Sequence, residues 1–116
     1  MMWAATGVSE AAIRPSTLQE VFVDGRTIVL LRQDGALLAV EGICPHLGGL
    51  LSDGTLKGDR LICPLHGAAF DVRSGAVLAD PFGVEPPEGG VDALRSYPLR
   101  VVRGMVEVDL PTDRSA

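Results

Sequence analysis

Apolar residues along the chain come in short stretches, each cut off by a turn signal. Leu18 to Asp24 alternates in part through Val21 and Val23 and runs into Asp24-Gly25, a hairpin dipeptide. Thr27 to Arg32 is a β-branched apolar run, closed by Asp34-Gly35, and Ala36 to Val40 follows as a third stretch. These three predict an antiparallel meander. Further on, Arg60 to Ile62 reads as a short strand, preceded by turns at Asp53-Gly54 and Lys57-Gly58. Ala69 to Val72 and Ala76 to Leu78 read as a hairpin around Arg73-Ser74-Gly75. Asp80 to Gly90, rich in Pro, Gly and Glu, predicts a loop. Leu94 to Val102 and Met105 to Leu110 predict a last hairpin turning at Arg103-Gly104, with a tail from Pro111. Near the start, Ser9-Glu10-Ala11-Ala12-Ile13 fits one helical turn capped by Ser9, ahead of Pro15.

Composition narrows this to an all-β chain. The 116 residues suit one domain, 1–116. Fourteen glycines and eight prolines argue against a helical bundle, whose interior could not hold so many breakers. No apolar run is long enough to span a membrane. The opening Met1-Met2-Trp3-Ala4 has neither the basic nor the apolar region of a secretory signal, so a cytoplasmic protein is expected. Only five residues are aromatic, so part of the chain needs something besides a large aromatic core to hold it.

The net charge of −5 argues against nucleic-acid binding. Residues 41–92 carry eight acids and three bases, while the remainder is balanced. These acids are either solvated loop residues or an acidic face that steers a basic partner.

The two cysteines and two histidines all fall within 23 residues, as Cys44-x-His46, a gap of sixteen, and Cys63-x-x-His66. A Cys44–Cys63 disulfide is disfavoured in a reducing compartment. A Cys-His nucleophile pair leaves one residue of each type unused and lacks an orienting third group. Two core histidines beside two buried thiols would not explain the matched pairs. Metal ligation uses all four. Zinc accepts two Cys and two His, but a zinc finger groups its cysteines on one arm and its histidines on the other. Here each arm has one of each, which suits a binuclear centre with two thiolates on one metal and two imidazoles on the other.

At these residues the chain resembles the Rieske iron–sulfur proteins, in particular the small Rieske-type ferredoxins of bacterial ring-hydroxylating dioxygenase systems. The matching residues are Cys44-Pro45-His46, Leu51-Ser52-Asp53-Gly54, Leu61-Ile62-Cys63-Pro64-Leu65-His66-Gly67-Ala68-Ala69-Phe70-Asp71, Ser74-Gly75 and Asp80-Pro81. The resemblance implies an antiparallel β-sandwich with a small cluster-binding subdomain inserted at about 42–82. It implies one [2Fe–2S] cluster, with Cys44 and Cys63 on the buried iron and His46 and His66 on the outer one. Gly48, Gly49 and Gly67 would then let backbone N–H groups approach the cluster, although turn duty alone also explains them.

The respiratory members of the family carry an extra cysteine pair, and Leu65 stands where one of these is expected. They also place Ser and Tyr hydroxyls near the cluster sulfurs, where this chain has Ala68 and Phe70. Fewer hydrogen bonds to sulfur imply a potential toward the low end of the Rieske range, on the order of −150 mV.

The implied function is one-electron transfer from an NAD(P)H-dependent flavoprotein reductase to a Rieske non-haem iron oxygenase, with no catalysis by the chain itself. The rivals are the small subunit of an assimilatory nitrite reductase, many of which lack the four ligands, and a zinc-binding interaction module.

Overall fold

The apolar run at the centre of the pattern becomes the middle of strand β3 (Arg26–Gln33), in a computed structural model that describes residues 2–44, 49–64, 67–79 and 93–111. Side chains alternate across a strand, so β3 feeds two cores at once. Val29 and Leu31 join one cluster with Val40, Leu51, Leu61 and Phe70, while Ile28 and Leu30 join another with Val21, Tyr97, Val106 and Val108. All four of the β3 residues are fully buried. A continuous apolar run, rather than an alternating one, is what a strand buried on both faces requires.

Three antiparallel sheets supply the walls of these cores. The central sheet has the order β2 (Gln19–Val23), β3, β4 (Ala36–Glu41), β9 (Ser96–Tyr97). On one side lies a sheet of β1 (Met2–Ser9), β11 (Met105–Leu110) and β10 (Leu99–Val102). The third sheet runs β5 (Thr55–Lys57), β6 (Arg60–Ile62), β7 (Ala69–Asp71), β8 (Val77–Ala79). This third sheet comes from one stretch of chain between β4 and β9, and those two strands pair directly through Ala39 with Tyr97 and Val40 with Ser96. Among the described residues no helix is long and apolar enough to cross a membrane.

The hairpin dipeptides act as expected. Asp24-Gly25, Asp34-Gly35 and Arg103-Gly104 all adopt positive φ at both residues. This is the tight turn that matches the twist of paired strands.

Several elements differ from the expected pattern. The first strand, β1, was not predicted at all. It pairs with β11 from Met2 opposite Leu110 to Ser9 opposite Met105, with a register shift between Ala5 and Ser9. The irregularity disrupts alternation, and Thr6 spans it by donating its hydroxyl to the Val106 carbonyl and accepting from the Val8 amide. Second, the turn at Glu10–Ala12 is three-ten, and Ser9 makes no side-chain capping bond; the Glu10 amide donates instead to the Gly104 carbonyl at 2.9 Å. Third, the single strand expected over Leu94–Val102 is two. Pro98 has no N–H to give a ladder, and there the chain leaves the central sheet as β9 and joins the outer sheet as β10. The expected loop Asp80–Gly90 and all but the first residue of the tail lie outside the described residues.

Candidate metal centre

Two loop bases carry the cysteines, and they are built alike. At the first, Ile43 bridges Leu50 and the Cys44 amide donates to the Gly49 carbonyl at 2.8 Å. At the second, Ile62 pairs with Ala69 and the Cys63 amide donates to the Ala68 carbonyl at 2.7 Å. Each cysteine thus closes a loop by bonding to the residue five positions on.

Local sequence explains both approaches. Gly42 turns the chain out of β4: its amide donates to the Thr27 carbonyl at 2.8 Å, and a Cβ there would lie 2.7 Å from the Thr27 methyl. Beyond the first loop, Leu51–Asp53 forms a three-ten turn where a simple turn at Asp53-Gly54 was expected. Gly54 then passes against the Ile62 carbonyl, too close for any side chain. That contact presses the exit of the first loop onto β6, the strand that leads to Cys63.

Cys44 and Cys63 are both 2% exposed and belong to the same core cluster as Leu51, Leu61, Ala68 and Phe70. Ala68 and Phe70 are fully buried, so the wall beside the two thiols at these positions is apolar and has no hydroxyl. His46 and His66 lie outside the described residues. In sequence, each stands between its loop's cysteine and that cysteine's bonding partner.

This donor set fits a two-iron group. Two soft sulfur donors, both buried, belong to one apolar core cluster. Each loop also has one imidazole in its sequence for the second metal. A zinc finger would need both cysteines on one arm, whereas here each loop base holds one.

Glu41 and Tyr97 carry no functional signal of their own in the sequence. The Tyr97 hydroxyl donates to Glu41 Oε1 at 2.9 Å, and the Ile43 amide donates to Glu41 Oε2 at 3.2 Å. The two side chains stand 56 positions apart in sequence, so only the pairing of β4 with β9 brings them together.

Comparison with known proteins identifies the family. The family model for the Rieske [2Fe–2S] domain matches residues 3–98. The ferredoxin component of the naphthalene 1,2-dioxygenase system of Pseudomonas putida is 31% identical over 90 residues, 78% of this chain and 79% of that protein. The anthranilate 1,2-dioxygenase ferredoxin subunit of Burkholderia cepacia is 34% identical over 85 residues, 73% of this chain and 71% of that protein. A solved complex of reduced oxygenase and oxidized ferredoxin in carbazole 1,9a-dioxygenase matches with a TM-score of 0.74 and 29% identity, over 91% of each chain. With residues 3–98 matched by the domain model and its two cysteines at like-built loop bases, this chain belongs to the Rieske [2Fe–2S] domain family.

Proposed function

We propose that the chain is a one-electron carrier that passes electrons from an NAD(P)H-dependent flavoprotein reductase to a Rieske non-haem iron oxygenase. Its ligands in this reading are Cys44, His46, Cys63 and His66, and its cluster-binding part spans about 42–82. The observation that carries the reading is the pair of like-built loop bases that bring Cys44 and Cys63 into one apolar core. When bound, a [2Fe–2S] group supplies reversible uptake and release of one electron.

The chain's own residues do the rest. Cys44 and Cys63 hold the group from the buried side, and Ala68 and Phe70 keep water from that side. His46 and His66 complete the ligand set, so no coordination position is left for a substrate. Cavities of about 410 and 430 Å³ occur elsewhere, one around Arg95–Pro98 and Asp109–Pro111, the other around Pro15, Arg32 and Leu56, and neither is lined by a cysteine. The acidic stretch 41–92 overlaps the loop region, which favours a docking partner with a basic face. The reading places the chain in the cytoplasm, where thiols stay reduced for metal binding.

Stopped-flow mixing tests the proposal. The protein, reduced by a flavoprotein reductase, is expected to be reoxidised rapidly by a Rieske oxygenase, followed as an absorbance change. A protein that no such reductase reduces and no such oxygenase reoxidises contradicts it.

A further inference from the structure

The two loop bases differ in one respect. The second is an ordinary hairpin: β6 and β7 pair from Arg60 opposite Asp71 to Ile62 opposite Ala69, a ladder of three residue pairs. The first is a single bridge between Ile43 and Leu50, flanked by two backbone bonds, from Cys44 to Gly49 and from the Leu51 amide to the Gly42 carbonyl at 2.9 Å. Three consecutive amides lead into it. Those of Gly42 and Cys44 donate to backbone carbonyls, of Thr27 and Gly49. The middle one, Ile43, donates to a side chain, Glu41 Oε2, at 3.2 Å.

Glu41 is itself held. As the last residue of β4 it pairs with Ile28 of β3, and its amide donates to the Arg95 carbonyl at 2.8 Å. Its other carboxylate oxygen accepts from the Tyr97 hydroxyl at 2.9 Å. Tyr97 is 5% exposed and is packed in the core that contains Ile28 and Val108. Arg26 approaches the same hydroxyl oxygen at 3.4 Å. A buried phenol with one good acceptor has a fixed direction. Burial, reinforced by the bond to Glu41, also pushes its pKa above 10.0, so the donor proton stays in place through the neutral range.

We propose that Glu41, oriented by Tyr97, is a positioning residue that fixes the Ile43–Cys44 backbone and so sets Cys44 opposite Cys63 for ligation. The inference rests on the electron-carrier reading for its purpose, and on the Tyr97–Glu41–Ile43 geometry for its mechanism. The carboxylate clamp adds to the two backbone bonds of this short bridge, where the second loop base has a longer strand ladder.

Hydrogen–deuterium exchange of the holoprotein, read by mass spectrometry on peptides from the two loop bases, tests it. In Tyr97→Phe and in Glu41→Ala, the peptide containing Ile43 is expected to exchange on the order of fivefold faster, the worth of one lost hydrogen bond. The peptide containing Cys63 is expected to keep its rate. Glu41→Gln retains a carbonyl oxygen for Ile43 and an amide that can donate to Tyr97, so it is expected to restore the slow rate. Cluster loss to a chelator is expected to speed up in the first two variants and not in the third. Unchanged exchange at Ile43, or equal loosening of both loops, overturns the inference and leaves the electron-carrier reading standing. Wild-type protein that contains no iron and sulfide overturns that reading, and the inference about ligation with it.

Discussion

The Arg73 guanidinium lies 2.8 Å from the Asp34 carboxylate, linking the β7–β8 hairpin of the third sheet to the β3–β4 turn of the central one. Around it, Gln33 donates to Asp59 at 2.6 Å and to the Gly58 carbonyl at 2.7 Å, so three turns meet at one point. The ion pair is exposed, with side chains 41% and 77% accessible, and pairs of that kind contribute little. Replacing Arg73 with Ala is therefore expected to cost less than about 1 kcal/mol of stability. A chemical denaturation midpoint that collapses in this variant would show that the pair holds the third sheet in place, against this expectation.

Asp71 behaves differently because its partners are backbone. Its Oδ1 accepts from the Arg73 amide at 2.8 Å and the Ser74 amide at 3.1 Å, which organises the β7–β8 turn. These bonds, that from Ser74 first, hold its carboxyl below the usual 3.8. A carboxyl whose pKa is lower in the folded state stabilises the fold above its unfolded pKa, near 4, and that contribution is lost as pH falls through the folded value. The side-chain carbon of Asp71 is expected to titrate below an ordinary aspartate in an NMR series. Asp71→Asn, which keeps the acceptor oxygen, is expected to flatten the acid end of the stability curve. A titration midpoint at or above 4 would contradict this.

The turn chemistry was legible because it is local. Asp24-Gly25 and Asp34-Gly35 state their own backbone conformation, and the cysteines and histidines stood out by rarity and spacing. What escaped depends on distant partners. Strand β1 has an irregular pattern, since its register shifts against β11, and it contains Ala4, Ala5 and Gly7 in place of large apolar residues. The break at Pro98 separates two strands only because two different sheets receive them. Glu41 and Tyr97 look like an unremarkable acid and a core aromatic until β4 and β9 pair.

The apolar wall at Ala68 and Phe70 bears on the potential. Both are fully buried in the core that holds the cysteines, and neither can donate a hydrogen bond from its side chain. The reduced, more negative state therefore lacks that stabilisation. A midpoint toward the low end of the Rieske range, on the order of −150 mV, is expected by protein-film voltammetry. A value well above zero would contradict the argument.

Replacing His66 with Cys changes a neutral donor for a negative one. If His66 is a ligand, any cluster that forms in the variant is expected to have a lower midpoint potential than wild type, because an added thiolate disfavours electron uptake. An equal potential would remove His66 from the ligand set.

Iron and acid-labile sulfide analysis of anaerobically purified protein addresses the cofactor itself. About two irons and two sulfides per chain are expected, lost together in Cys44→Ser and in Cys63→Ser. Stoichiometric zinc without labile sulfide, or protein that stays free of iron after reconstitution, would contradict this expectation.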